Sequence, residues 1–262
     1  MFVAGATSMY IGASLAVHLF DEIAVPTVAW LRVVGAAIVL AAVVRPWRQR
    51  WTRAAFGAAA AFGVATAVMN LCFFLAIDRL PLGTAVAIEF IGPVSVAAIA
   101  ARTSRNALAL VLTTAGVALL SGVEADANLP GVLFALAAAA CWAAYIVLGA
   151  RVAQRDRGIS GLAVGLAIGA VAIAPIGAVD SGPAFSSPRL LFLCVAVGVL
   201  SNAIPYAIDQ VVLRRVRRGT FALLLALLPT TATIIGAVVL QQVPNVLELV
   251  GIALVVVALC VR

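Results

Sequence analysis

Long apolar runs separated by short polar segments dominate this sequence of 262 residues. Most runs approach the ~20 residues that an α-helix needs to cross the hydrocarbon core of a bilayer. The pattern predicts an all-α integral membrane protein with ten transmembrane helices. The predicted spans are 2–20, 27–44, 54–77, 85–101, 107–123, 130–149, 160–179, 190–210, 220–240 and 248–261.

Composition supports a lipid environment and excludes several kinds of chemistry. Hydrophobic residues make up 65% of the chain and charged residues 10%, against about 25% charged residues in soluble domains. The absence of Lys excludes a Schiff-base cofactor and a Walker-type phosphate loop. A single His18 cannot build the common zinc or haem sites. Since no Asp, His and Ser residues cluster near one membrane face either, the sequence predicts no enzyme, no metal and no cofactor.

The distribution of Arg predicts the orientation of the chain in the membrane. A net charge of +7 suggests nucleic acid as the partner of a soluble protein, but here the charge lies almost entirely in alternate loops. The opposite loops contain only Arg79 and Arg189. Because Arg-rich short loops stay in the cytoplasm, both termini are predicted to be cytoplasmic, in a plasma or inner membrane, with no nucleic-acid partner. The Arg-rich segments are 45–53, 102–106, 150–159, 211–219 and the terminal Arg262.

The two halves of the chain share a series of matched residues at an offset of nearly constant length. Each match is weak in a chain rich in Ala, Val and Leu, but all occur in one order. They predict two five-helix repeats, at 1–123 and 130–262. The matches are Gly83-Thr84 and Pro93 with Gly219-Thr220 and Pro229, Tyr10-Ile11 with Tyr145-Ile146, Gly63-Val64 with Gly198-Val199, and 116–119 with 251–254.

An odd number of spans in each repeat inverts the second copy in the membrane. Equivalent loops should then face opposite sides and differ in charge. Residues 78–82 and 214–218, which precede the matched Gly-Thr pairs, carry net charges that differ by four. Inverted repeats are typical of secondary transporters, whose substrate site lies near the bilayer midplane between the halves. The sequence therefore predicts a transporter of a small molecule.

Glu89 lies about five residues inside the fourth predicted span, among Ala, Ile and Phe residues. A carboxylate at this depth costs about 2.5–3.5 kcal/mol on insertion scales, so it should face a cavity or a polar partner. Two interpretations fit: a group that binds protons or substrate, or a protonated acid that hydrogen-bonds a neighbouring helix.

Pro93 and Pro229 each remove a backbone N–H from the interior of a predicted span. Pro93 frees the carbonyl of Glu89 itself, and Pro229 frees the carbonyl of Leu225. Kinked helices with free carbonyls serve as hinges or bind substrate ammonium groups in transporters, although kinks also occur as ordinary packing features. Both prolines are hinge candidates.

Several other polar side chains lie within the spans. Arg32 either extends to the membrane surface or pairs with a substrate carboxylate or with Glu89. Five side chains with a polar group are candidates to line a substrate pocket, or else form hydrogen bonds between helices. These five are Tyr10, Asn70, Trp142, Tyr145 and Tyr206.

A further set of motifs extends over nearly the whole chain. They are Gly12-Ala13 with Leu19-Phe20, Leu31-Arg32, Arg45-Pro46-Trp47, Met69-Asn70, the run 80–90 through Pro93, Trp142 with Tyr145-Ile146, Ile204-Pro205-Tyr206 and Leu213-Arg214-Arg215. With these motifs the sequence resembles the EamA-type branch of the drug/metabolite transporter superfamily. Within that branch it is most similar to the bacterial inner-membrane threonine/homoserine exporters.

The resemblance implies a helical bundle with a central cavity. The cavity would be lined by the first, third, fourth, sixth, eighth and ninth spans, with the fifth and tenth packed together behind. The resemblance also implies export of small amphipathic metabolites, amino acids such as threonine or homoserine first, by alternating access coupled to protons. The alternative within the superfamily is efflux of drugs or cationic compounds. The sequence gives no indication of oligomeric state.

The chain departs from the family pattern at a few positions. Leu228 stands where similar proteins often have Glu, and Gln241-Gln242 stands where they often have Gly-Glu. Asp209 stands where a Glu is usual. The loss of these acidic residues bears on the choice of substrate.

Overall fold

The computed structural model describes residues 2–100, 103–153, 158–208 and 227–261. Within these ranges the chain is helical apart from short connections, and it contains no β-strand. The all-α prediction is therefore confirmed for this part of the chain. The helices are α1 (Phe2–Leu19), α2 (Val25–Val44), α3 (Arg53–Ile77), α4 (Leu82–Glu89), α5 (Ile91–Ala100), α6 (Ser104–Ala153), α7 (Gly158–Gly177), α8 (Gly182–Ser186), α9 (Pro188–Gly198), α10 (Leu227–Val239) and α11 (Val246–Val261).

Five helical segments in the described ranges are long and apolar enough to cross a membrane, judged by length and composition. They are Val25–Val44, Arg53–Ile77, Asn128–Gly149, Gly158–Gly177 and Pro188–Ile208. Five shorter apolar helical segments accompany them: Val3–Leu19, Leu82–Val96, Ser104–Leu120, Leu228–Val239 and Val246–Val261. Each segment falls on one predicted span, although residues 220–226 of the ninth prediction lie outside the described residues.

Two predicted boundaries differ in detail. The backbone of α6 remains helical through most of the predicted connection 124–129 and departs from helical angles at Asn128 (φ −153°, ψ 72°), two residues before Pro130. The fourth predicted span consists of two helices, α4 and α5, which separate at Phe90. This break lies three residues before Pro93, where the missing proline N–H interrupts the helical hydrogen bonds.

Polar side chains cap several helices. The Thr52 hydroxyl accepts a hydrogen bond from the N–H of Ala55 at the start of α3. At the start of α11, Asn245 and Glu248 form a reciprocal capping box: the Glu248 carboxylate accepts from the N–H of Asn245 at 2.6 Å, and the Asn245 side chain accepts from the N–H of Glu248 at 2.9 Å. This pairing gives the buried Glu248 side chain a hydrogen-bond partner.

Small residues allow the helices to approach closely. Gly63 on α3 lies so near to Gly165 on α7 that an added Cβ would overlap the Gly165 backbone. Gly169, one turn later, packs on Gly63 and Ala67 in the same way. Membrane helices commonly associate through such small residues, because burial of apolar surface gives no advantage in lipid. These contacts fix α3 against α7.

A second glycine contact joins the first part of α6 to α11. A Cβ added to Gly116 would lie 2.7 Å from the carbonyl oxygen of Gly251, and one added to Gly251 would lie 2.6 Å from the side chain of Leu120. These helices are the fifth and tenth predicted spans. They pack on each other as the family resemblance implies.

The end of α10 contains a strained residue. Gln241 adopts a φ of 58°, in the left-handed region that favours Gly, and the next N–H, that of Gln242, closes the turn on the carbonyl of Gly236 at 3.0 Å. The Gln242 side chain then accepts a hydrogen bond of 2.9 Å from the N–H of Leu82 and so caps α4. The Gly that the family resemblance implies at position 241 would adopt this φ without strain.

We therefore expect Gln241→Gly to stabilise the protein. The change removes a non-glycine residue from the left-handed region, which stabilises the folded state, but Gly also makes the unfolded chain more flexible. The net gain in the free energy of unfolding should be about 0.5–1 kcal/mol. The thermal unfolding midpoint in detergent should rise by about 2 °C. Gln241→Ala, which keeps the strain, is the control and should not raise the midpoint. An equal rise in both variants would contradict the explanation.

Candidate functional site

Arg32 lies in the interior of the bundle. Arg32 belongs to the second helix, α2, and is only 3% exposed. The interpretation in which its side chain extends to the membrane surface is therefore wrong. A charge in this position needs local compensation, because the surrounding helices are apolar.

Two amides and one aromatic ring surround the Arg32 guanidinium. Its Nη2 atom donates hydrogen bonds to the side-chain oxygen of Asn70 and, at 2.5 Å, to that of Asn202. Its Cζ atom lies 4.1 Å from the centroid of the Phe74 ring, a cation–π contact. Arg32 thus connects α2 with α3, which carries Asn70 and Phe74, and with the segment that follows α9.

Asn202 is a site residue that the sequence analysis missed. It is fully buried and lies in a π-helical turn, Val199–Ala203, through which α9 continues to Ile208. Pro205 explains the turn, because it cannot donate the backbone hydrogen bond that a regular helix requires. An Asn within an apolar run, three residues before a proline, is the signal that could have identified it.

The π turn leaves one backbone carbonyl without a partner from its own helix. In π-helical bonding the carbonyl of Leu200 would accept from residue 205, which is a proline without an N–H. The Ser8 hydroxyl on α1 donates to this carbonyl instead, at 2.8 Å. Side chains of neighbouring helices commonly satisfy freed backbone groups in this way within membranes. The irregular turn is therefore supported by α1.

Glu89, the deepest acidic candidate, is buried at the end of α4, next to the helix break at Phe90. It interacts electrostatically with Arg32, but the two side chains form no direct ion pair, and no side chain in the described ranges donates a hydrogen bond to the Glu89 carboxylate. Glu89 and Arg32 thus lie in the same buried region without a direct contact. Both interpretations of Glu89, as a group that binds protons or substrate and as a protonated acid that hydrogen-bonds a neighbouring helix, stay predictions.

Aromatic rings from several helices lie in the same part of the core. The ring of Phe90 packs edge-on against Trp142 with centroids 4.8 Å apart. Tyr145 packs against Phe62 at 4.8 Å and against Tyr206 at 5.9 Å. Tyr206 also interacts electrostatically with Arg32. Trp142, Tyr145 and Tyr206, which the sequence analysis singled out separately, are thereby linked to Glu89 and Arg32.

The remaining candidates lie near this region or bend its helices. Tyr10 is buried on α1, between Ser8 and Gly12, which both contact the π turn. Pro93 lies at the break between α4 and α5. Pro229 is buried near the start of α10, and its carbonyl accepts a hydrogen bond from the Thr233 hydroxyl at 2.8 Å. The residues before Leu227 lie outside the described residues, so a kink at Pro229 stays a prediction.

The groups gathered here match a small molecule that carries both a charged group and an apolar part, and whether they bind one stays a prediction. It presents a guanidinium, a carboxyl, two amides and three pairs of aromatic rings within an apolar bundle. In the described part of the chain, no three His, Cys, Asp or Glu side chains group together as metal ligands. A few placed polar groups in a mostly apolar setting are one feature of ligand sites.

Comparison with known proteins agrees with a transport role. Residues 129–261 match the model of the EamA-like transporter family. The chain is 35% identical over 255 residues to the threonine/homoserine exporter RhtA of Salmonella typhimurium strain LT2, which covers 96% of this chain and 86% of the relative. It is 34% identical over 250 residues to the exporter of the same name from Escherichia coli strain K12, with 94% and 84% covered.

One solved crystal structure shares the fold over almost the full length. It covers 98% of this chain and 95% of its own chain, with a TM-score of 0.57 and 20% sequence identity. The described chain is thus a helical membrane protein with polar and charged residues in its core. Given the matches in sequence, the chain belongs to the EamA-like transporter family.

Proposed function

We propose that the protein exports small amphipathic metabolites, amino acids such as threonine and homoserine first, across the bacterial inner membrane. The names of its relatives suggest the substrate. The observation that carries the proposal is the buried Arg32, which is hydrogen-bonded to two amides and interacts electrostatically with Glu89. An exporter of cationic drugs, the alternative, has no use for a guanidinium there. The core charges therefore favour a substrate with an anionic group.

The ten helices form two inverted repeats of five, at 1–123 and 130–262. The pattern of helix contacts supports this arrangement. α1 packs on the π turn near Gly12, and its counterpart, the second part of α6, packs on α3 near Gly149. α2 packs on α9 near Gly35, and its counterpart α7 packs on α3 near Gly169. When a pseudo-two-fold axis relates two halves, each contact between two helices is expected to recur between their counterparts.

Both termini face the cytoplasm, as the Arg-rich loops indicate. Single cysteines at Arg48 and Asn128, in a variant without the native cysteines, should label differently in intact cells. An impermeant maleimide should react at position 128, outside, and reach position 48 only after the cells are opened. Labelling of both positions in intact cells would contradict the inverted arrangement.

Alternating access moves the two halves in opposite senses, and Pro93 and Pro229 are its hinges. The helix break at Phe90 beside Pro93 supports a bend in the fourth span. Because this break immediately follows Glu89, a movement of α4 against α5 also moves the carboxyl. The hinge and the charged pair are thus linked through adjacent residues.

Export is driven by protons that bind Glu89. A buried carboxyl without an ion-pair partner can exchange a proton with little rearrangement of its neighbours. Because Glu89 interacts electrostatically with Arg32, the charge of Glu89 also affects how strongly Arg32 attracts a substrate. Efflux of labelled threonine and homoserine from preloaded membrane vesicles, with and without a pH gradient, tests both the substrate and the coupling. Neutral and cationic compounds complete the panel.

We expect Glu89→Gln to remove the dependence of efflux on the pH gradient. Gln is nearly isosteric with the protonated acid, so the variant should remain folded in the membrane. The matched control is Glu248→Gln, which changes a buried carboxylate that only caps α11; it should lower the thermal unfolding midpoint by a few degrees at most and preserve the gradient dependence. Gradient-driven efflux by Glu89→Gln at the wild-type rate would refute the role of Glu89.

A further inference from the structure

We propose that Arg32 and Asn202 together bind the carboxylate group of the exported substrate. The substrate class is then α-amino acids and the corresponding hydroxy acids, rather than amines or cations. This inference rests on the proposed export function, because it names the substrate that the core admits. It adds Asn202, a residue that only the tertiary structure brings to Arg32.

The hydrogen bonds of Arg32 leave a defined set of donors unused. Both amide oxygens, from Asn70 and Asn202, accept from the same atom, Nη2. The Nε and Nη1 atoms of Arg32 are buried and have no hydrogen-bond partner in the described ranges. Buried donors without partners are rare in proteins, because each loses its hydration and gains nothing in return.

The orientation of Asn202 follows from its contact with Arg32. A guanidinium only donates hydrogen bonds, so Asn202 must turn its oxygen towards Nη2 and its amide nitrogen away. That nitrogen, Nδ2, is also buried and without a partner among the residues described. Asn70 differs, because its Nδ2 atom donates to the carbonyl of Thr66 at 2.7 Å. Asn202 is therefore the amide that has a donor available for a ligand.

The available groups are all donors, and they select an anion. Arg32 Nε and Nη1 and Asn202 Nδ2 carry hydrogens and no lone pairs that could accept a hydrogen bond. An ammonium group would leave them unpaired and a neutral oxygen would bind them more weakly, whereas a carboxylate accepts through two charged oxygens. Phe74 covers one face of the guanidinium at 4.1 Å, and the two Asn side chains occupy Nη2. Nε and Nη1 lie on different edges of the guanidinium, so a carboxylate would accept from one of them and from Nδ2 of Asn202.

Glu89 does not occupy this position. It forms neither an ion pair nor a hydrogen bond with Arg32, although the two interact electrostatically. The carboxylate of a substrate can therefore bind Arg32 while Glu89 remains available for a proton or for the substrate ammonium. The aromatic pairs beside them accommodate the apolar part of the substrate.

The backbone around Asn202 is an independent sign of a ligand site. A π turn shifts the following residues relative to a regular helix, and such turns occur frequently at functional sites. Here it places Asn202 against Arg32, and Ser8 supports its carbonyl from another helix. Ser8 on α1 thus holds the turn in place next to Arg32.

Binding to the purified full chain in detergent tests the site without the need for transport. The probes are L-threonine, L-threoninol, in which an alcohol replaces the carboxylate, and 3-hydroxybutyrate, which lacks the ammonium group. The measurement is the ligand concentration that gives half-maximal thermal stabilisation at constant pH. We expect threonine and 3-hydroxybutyrate to stabilise the protein and threoninol to require about tenfold more or to have no effect.

Two variants test the two donors separately. Arg32→Gln removes the charge, and Asn202→Asp keeps the shape and the bond to Arg32 but directs a carboxylate oxygen to the place of the ligand. Both should require at least about tenfold more threonine. Asn202→Asp should fold even if Arg32→Gln does not, because it neutralises the buried guanidinium. Asn128→Asp, the same change at a residue that caps the second part of α6, is the matched control and should bind as the wild type does.

The outcomes separate this inference from the proposed function. Equal stabilisation by threonine and threoninol, wild-type binding by Asn202→Asp, or no stabilisation of the wild type by either carboxylate would overturn the carboxylate site. Vesicles in which both variants export threonine with wild-type apparent affinity would leave the export function standing and remove the site. Carboxylate binding that depends on Arg32 and Asn202, without export of any compound in the panel, would support the carboxylate site and contradict the export function.

Discussion

The guanidinium of Arg32 lies inside an apolar helical bundle, and a charge in that position must be compensated by groups within a few ångströms. Water and lipid headgroups are out of reach of a residue that is 3% exposed. Asn70, Asn202 and the Phe74 ring supply that compensation from two other segments of the chain. Because these partners come from different helices, the need to solvate one side chain determines how α2, α3 and the continuation of α9 meet.

Close approach of the backbones makes this meeting possible. Gly198, the last residue of α9, packs directly on the Arg32 backbone, where an added Cβ would overlap the Arg32 carbonyl. The π turn that carries Asn202 begins at the next residue. Glycine at this point therefore lets the turn lie close enough for Asn202 to reach the guanidinium. The seam of Gly63 and Gly165 holds α3, with Asn70 and Phe74, against α7 on the other side of the site.

Helix breaks coincide with the residues that carry the chemistry. Asn202 lies in the π turn before Pro205, and Glu89 is the last residue of α4, before the break associated with Pro93. Irregular backbone within a membrane is tolerated where other parts of the protein satisfy its polar groups. Ser8 does so for Leu200. Such breaks provide both carbonyl groups for a ligand and points where a helix can bend, which fits a protein of a transporter family.

Sequence alone determined the class of protein and the positions of the apolar helices within the described ranges. The length and composition of the runs are sufficient for this, because a bilayer imposes one helix length and excludes unpaired charge. The sequence also identified Arg32, Asn70, Glu89 and Tyr206, since polar residues in apolar runs are conspicuous. It did not decide whether Arg32 points outward or inward, and it gave no reason to select Asn202. Those two answers depend on how helices far apart in the chain pack side by side, and on a π turn whose register a linear pattern does not contain. Tertiary packing decided which polar residues share one environment, because only packing brings Asn70 and Asn202 to the same atom, Nη2 of Arg32.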